Sequence, residues 1–237
     1  MTEQVFAVID ATWPPAARSE AGGFVIREGK GGGSRVSAAS RCAPWEACDL
    51  KAAIAAQRAL GQNPKFQIRP GDAALDTALE ARGFVVTDPT VIYDAPIDAL
   101  QGEVPPVTAF AHWPPLQIAR DLWTDLGIGP ARQAIMERAD APKCCILGRK
   151  TDRAAGTMFV AIHDAVAMIH ALAILPEMRR MGLARAMIHE AARWAAENGA
   201  HRMMLVVTEA NAEANALYRV LGLEMIGRYH FRSEAAK

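Results

Sequence analysis

Residues 174–184 read Ile-Leu-Pro-Glu-Met-Arg-Arg-Met-Gly-Leu-Ala. An apolar run stops at Pro176, Arg179 and Arg180 follow, and Gly182 opens a long helix-forming stretch. A strand, a tight turn and a helix N-terminus in that order leave several backbone N–H groups unpaired at the positive end of the helix dipole. Such an arrangement receives phosphate oxygens. Arg179 and Arg180 add charge beside it, and the small residues Gly182 and Ala184 let an anion approach the backbone. A second motif follows downstream: Asn211-x-x-Ala214-x-x-Leu217-Tyr218, then Gly222-Leu223. Asn211 suits an N-cap, Ala214, Leu217, Tyr218 and Leu221 share one helical face, and Tyr218 carries a transferable proton. Each motif also has an ordinary structural reading, as a plain helix start and as a core tyrosine at a helix end.

The flanking elements give these motifs a setting. Residues 165–174 form an apolar strand interrupted by His170. Residues 183–198 place small or apolar side chains at 184, 187, 188, 191 and 195, one face of a helix that Gly199 stops. Residues 202–208 read as a buried strand and 223–231 as a closing one. Upstream, 116–126 and 131–139 have helical spacing. Residues 144–150 and 157–162 read as antiparallel strands joined by a turn at 151–153, and His163-Asp164 makes the next turn.

The spacing Arg179-x-x-Gly182-x-Ala184 resembles the acetyl-CoA pyrophosphate loop of the GNAT superfamily of N-acetyltransferases, and residues 211–223 resemble its last helix and strand. The resemblance covers about residues 107–231 and implies the superfamily's mixed α/β fold. It implies acetyl-CoA as co-substrate, with no metal, and direct attack by a primary amine of a small molecule. The backbone of Leu172, Ala173 and Ile174 would pair with the pantetheine arm. Arg179, Arg180, Met181, Gly182, Leu183, Ala184 and Arg185 would surround the phosphates, and Asn211 and Tyr218 would close the cofactor site. Tyr218 is the expected acid for the departing thiolate. Many relatives carry a strand glutamate 11 positions before the loop, where this chain has Met168 (179 − 168 = 11). His170, two residues on, resembles a strand histidine of the aralkylamine N-acetyltransferases and is the expected base, since an ordinary imidazole titrates near pH 6.5. A core histidine is the competing reading, and Glu209 is a weaker base. A CoA-binding protein without catalysis is the alternative to an enzyme.

At 237 residues the chain is long for one such domain. We expect a degenerate GNAT-like or small α/β domain over 1–96, a linker over 97–106 and the catalytic domain over 107–237. Trp13-Pro14-Pro15 recurs as Trp113-Pro114-Pro115, and the run from Phe66 to Tyr93 overlays 205–232 at a shift of 139, pairing Gly83 with Gly222 and Asp72 with Asn211 (222 − 83 = 139; 211 − 72 = 139). The first copy has no glycine opposite the phosphate loop and Leu79 opposite Tyr218. Residues 29–33, rich in glycine, read as a hairpin turn between strand-like runs at 24–27 and 35–38. An apolar acceptor pocket is suggested by Trp113, Trp123 and Met136, with Arg120, Asp121 and Asp125 facing acceptor or solvent.

Lys+Arg and Asp+Glu both number 26, which gives no electrostatic reason to expect nucleic acid or an anionic membrane as partner. No apolar run is long enough for a membrane span, and the first residues lack a signal pattern, so a cytoplasmic protein is expected. A homodimer is left open. Cys144 and Cys145 are adjacent in a strand and point to opposite faces, while Cys42 and Cys48 have no second pair. Reduced thiols are therefore expected rather than disulfides or a metal site.

Overall fold

The computed structural model describes residues 2–235. The chain opens with helix α1 (Thr2–Thr12), then strands β1 (Ala17–Ala21) and β2 (Phe24–Glu28), the single-turn helix α2 (Ser34–Ser37) and β3 (Ser40–Arg41). Helix α3 (Leu50–Ala59), β4 (Lys65–Ile68), α4 (Ala73–Glu80) and the long β5 (Phe84–Pro96) complete the first part. The second part runs β6 (Ala109–His112), α5 (Gln117–Asp125), α6 (Pro130–Arg138), β7 (Lys143–Lys150), β8 (Arg153–His163) and β9 (Val166–Ile174). It ends with α7 (Leu183–Glu197), β10 (Arg202–Thr208), α8 (Ala212–Val220) and β11 (Glu224–Glu234).

Eight strands form one mixed sheet in the order β4-β11-β5-β10-β9-β8-β7-β6, and β1-β2-β3 form a small second sheet. Strands from the two parts of the chain interleave, so the tract expected as a linker joins strands of one continuous sheet. Within that tract Ile97 and Leu100 are buried in a 3-10 turn packed on α7. The pairing repeats the shift seen in the sequence. Phe66 of β4 faces Arg232 of β11, and the positions 139 away, Leu205 of β10 and Tyr93 of β5, also face each other. Each copy's last strand thus pairs with the other copy's preceding strand.

The elements follow their residues. Helix α7 buries Leu183, Met187, Ile188, Ala191 and Ala195, and Gly199, at φ 83, turns the chain away after it. Strand β8 is buried along nearly all its length because helices cover both faces. Cys144 packs on the α7 side of the sheet and Cys145 on the α5 side, both reduced, as the alternation of a strand requires.

Three local readings change. Residues 35–38, expected as a strand, fold as the helical turn α2, because Gly33 at φ 92 redirects the chain and Ser37 Oγ donates to Gly33 O. β2 takes β3 as its partner instead. Asp72 precedes α4 but does not cap it with its side chain. Its carboxylate accepts from the Arg69 N–H at 3.0 Å and from Arg41 Nε at 2.8 Å. Helix α1, unforeseen, packs across β8 and β9 through Val5, Phe6, Val8 and Ile9 and brings Trp13 against Phe159, on which Trp113 also packs.

Candidate active site

Strands β9 and β10 are parallel and paired from Arg202–Val166 to Leu205–Ile169, and there the pairing stops. Beyond it β10 stays with β5 while β9 stays with β8, so the two strands diverge and open a cleft of about 910 Å³. A bulge initiates the divergence. Two residues of β9, Ala171 and Leu172, oppose one of β8, and Ala171 takes φ 50 with its carbonyl fixed by Trp123 Nε1 at 2.9 Å. The edge of Leu172, Ala173 and Ile174 that faces away from β8 therefore has no strand partner and lines the cleft.

At the mouth of the cleft the chain turns through Arg180 (φ 62) and Gly182 (φ 80) into α7. No side chain caps α7, and the first bond back to the turn is from the Ala186 N–H to Gly182 O at 3.2 Å. The N–H groups of Leu183, Ala184 and Arg185 thus have no acceptor within the helix. A Cβ at Gly182 would touch nothing, so that position is open space in a left-handed conformation suited to glycine. Arg179 donates from Nε to Ile174 O at 3.2 Å and lines the cleft with Arg180, Ala184 and Arg185. Met181 is exposed and lies outside the lining. The observed turn, free donors and unpaired strand edge fit a phosphate-bearing ligand with an amide-containing arm.

Helix α8 forms the opposite wall. Asn211 caps it by accepting from the Ala214 N–H at 3.1 Å. Asn215 donates to the carbonyls of Thr208 and Asn211 and accepts from Tyr93 Oη at 3.1 Å, fixing the helix against β5 and β10. Tyr218 packs 5.7 Å from the Tyr93 ring, is 6% exposed and borders the cleft. Burial, with Tyr93 adding to it, pushes its phenol up to about 12, so it stays protonated near neutral pH.

His170 also borders the cleft but departs from the ordinary imidazole expected of it. It is 2% exposed, stacked on Trp13 at 4.8 Å and held at both ring nitrogens. Arg35 Nη1 lies 3.0 Å from Nδ1, and a guanidinium can only donate, so Nδ1 accepts. Nε2 must then carry the proton and donate to Thr12 Oγ1 at 2.9 Å, whose own hydroxyl donates to Val8 O. Burial, then the charges of Arg35 and Arg132, push its pKa well below the usual imidazole value. An imidazole with no free lone pair and a suppressed charged form is poorly placed to collect a proton.

Other expectations resolve similarly. Glu209 lies on the exterior, 3.3 Å from Arg228. Trp123 and Met136 are core residues beneath the cleft, and Arg120 pairs with Glu137 at 2.6 Å. Leu126, Ile128 and Arg132 line the cleft instead. Arg35 and Arg132 had no sequence signal beyond lacking an acidic neighbour one helical turn away. Among the described residues no three of His, Cys, Asp and Glu converge as a metal site, and no helix is long and apolar enough to cross a membrane.

The profile of the Acetyltransferase (GNAT) family matches residues 111–223, which hold the bulged strand, the glycine turn and Tyr218. The C-terminal half thus matches the GNAT acetyltransferase domain. Solved structures extend the likeness to the whole chain. A GCN5-related N-acetyltransferase from Kribbella flavida is 17% identical, with a TM-score of 0.77 over 100% of this chain and 96% of that one. A functionally unknown conserved protein from Staphylococcus epidermidis is 14% identical, with a TM-score of 0.69 over 96% and 97% of the two chains. A tandem GNAT protein from the clavulanic acid biosynthesis pathway is 15% identical, with a TM-score of 0.60 over 98% and 88%. At these identities the likeness concerns the fold, a GNAT fold with a tandem relative. No curated protein matches the sequence.

Proposed function

We propose that the protein is an acetyl-CoA-dependent N-acetyltransferase acting on an amine of a small molecule. The observation that carries this reading is the splayed β9–β10 cleft, with an unpaired strand edge at 172–174 leading to the uncapped N-terminus of α7. An amide-rich arm laid along that edge adds hydrogen bonds as an extra strand would, and its phosphates meet the N–H groups of 183–185 with Arg179, Arg180 and Arg185 around them. The thioester then lies in the angle of the cleft, between the β9 bulge and Tyr218.

In this reading the amine attacks the thioester carbonyl, the C–S bond breaks, and the thiolate receives a proton. Tyr218 supplies a hydrogen bond, and finally the proton, to that sulfur. Its raised pKa keeps the phenol protonated, so the donor is in place when the thiolate departs. With both His170 nitrogens occupied, the attacking amine loses its proton to solvent rather than to the imidazole. The rate should therefore rise with pH along the amine's own titration.

The alternative, a CoA-binding protein without turnover, rests on the absent strand glutamate at Met168. Thiol release from acetyl-CoA across an amine panel, beside a thermal-shift titration with acetyl-CoA, separates the two. Turnover with binding is the expected result. Binding without turnover across the panel would favour the alternative, and no thermal shift at millimolar acetyl-CoA would overturn both.

A further inference from the structure

Two arginines face the inner end of the cleft without an acidic partner. Arg35 comes from α2 and Arg132 from α6, and both line the cavity. Arg35 is held in place: Nη1 donates to His170 and its guanidinium lies 5.0 Å from the Trp13 ring centre. Its remaining N–H groups have no protein acceptor among the described residues. The Arg132 side chain makes no hydrogen bond among the described residues, and its Nε is buried without a partner. The titratable neighbours of Arg35 are the neutral phenol of Tyr229 and Arg132 itself, and neither arginine has a carboxylate beside it. The carboxylates that do line the cleft are Asp88, which accepts from Ser34 Oγ at 3.2 Å on the exposed rim, and Glu213 in the first turn of α8.

Like charges brought together and stripped of water are costly, and folded chains avoid the arrangement unless an anion completes it. The phosphate end of the cofactor cannot be that anion in the reading above. His170, which holds Arg35, precedes Ile174 by four strand positions, about 13 Å, and the phosphate turn begins beyond Ile174. The arginines are therefore at the end where the acetyl group and the acceptor meet.

We propose that the acceptor amine carries its own anionic group, a carboxylate or a phosphate, which Arg35 and Arg132 clamp inside the cleft. The inference rests on the acetyltransferase reading and narrows it to amino-acid-like or phosphorylated amines. It also gives the first half of the chain a task. That half lacks a phosphate loop, yet Trp13, just after α1, and Arg35 of α2 pack on His170 of β9 to form one jaw of the clamp.

The test is thiol release from acetyl-CoA with matched acceptors: free α-amino acids, their α-amides, their decarboxylated amines, and phosphoethanolamine. The expected result is preference for one anionic set over its neutral analogues. Arg132→Gln should then raise the KM of the anionic acceptor about 10- to 100-fold, the loss expected for a charge-assisted bond. The KM for acetyl-CoA should stay near its parent value, and Arg132→Lys should recover part of the loss. Arg132 is the preferred site because it supports no other side chain. Carboxylate preference and phosphate preference both sustain the clamp and identify its ligand. Equal or better turnover of neutral amines, or an Arg132→Gln variant with unchanged KM, overturns the clamp while leaving the acetyltransferase reading standing. No turnover with any amine overturns both.

Discussion

Replacing His170 by Gln keeps an acceptor for Arg35 and a donor for Thr12 while removing a titratable group that the fold holds neutral. Because its folded pKa is depressed, His170 binds a proton in the unfolded chain, below about pH 6.5, that it does not bind in the native one. Native stability must then fall as pH drops below that value, by up to about 1.4 kcal/mol per pH unit. With the native imidazole neutral throughout, the loss reaches at most about 1.4 kcal/mol at pH 5.5 and about 2.7 kcal/mol at pH 4.5. Asp76 acts in a different window. The hydrogen bond from Arg232, then that from His230, holds its carboxylate below the usual range, so its contribution is lost only at more acid pH. Urea unfolding of parent and His170→Gln at pH 7.5, 6.5, 5.5 and 4.5 measures the difference in slope, independently of any constant cost of the substitution. The parent should lose up to about 1 kcal/mol more than the variant between pH 6.5 and 5.5. Parallel stability curves would mean that His170 is protonated in the native protein and would reopen its candidacy as the base.

Three further outcomes follow from the site. Tyr218→Phe should lower kcat by roughly 10- to 1,000-fold with acetyl-CoA affinity near the parent value, read by steady-state kinetics and calorimetry; full retained activity would remove Tyr218 from the reaction. Gly182→Trp should abolish the thermal shift given by acetyl-CoA, both by filling the turn and by forcing a residue with a Cβ into φ 80, at a folding cost of about 1 kcal/mol; an undiminished shift would place the phosphates elsewhere. Under native conditions a thiol reagent should modify Cys42 first and leave Cys144 and Cys145 intact, because burial pushes both thiols up, Cys145 to about 12; mass spectrometry showing early modification at 144 or 145 would contradict the packing.

What the sequence disclosed was local. Asn211, whose side chain can cap a helix, and Gly199 and Gly222, which accept a left-handed backbone, each mark a helix boundary, and the structure places a cap and turns there. The turn into α7 was legible for the same reason, since Gly182 takes a left-handed backbone. The surroundings of His170 were not legible, because Thr12, Trp13 and Arg35, which hold and bury it, lie more than a hundred positions away, and no periodicity records that contact. Arg35 was hidden by a reading of 35–38 as strand: four residues of mixed polarity give no period, and Gly33 decides the geometry from outside the segment. Arg132 sits on a helix whose polar and apolar residues are poorly segregated, so nothing in its spacing separates a cleft residue from a solvated one.

The exchange of β5 and β11 also dictates the order in which this chain can fold. Strand β5 is bracketed by β10 and β11, so residue 90 waits for residue 208 and residue 96 for residue 202, separations of more than a hundred positions. On the ribosome β5 emerges early, with apolar Val91, Ile92 and Tyr93 in its centre, and has neither neighbour until β10 is synthesised, the second following only after the last helix. Its nascent edges need shielding for that interval, and loop closure over such distances predicts slow folding. The same interleaving makes the halves one cooperative unit: cutting near residue 100 removes the strand between β10 and β11 from one fragment and both its partners from the other. Two co-expressed fragments could still reassemble by the strand pairing that an intact chain uses internally.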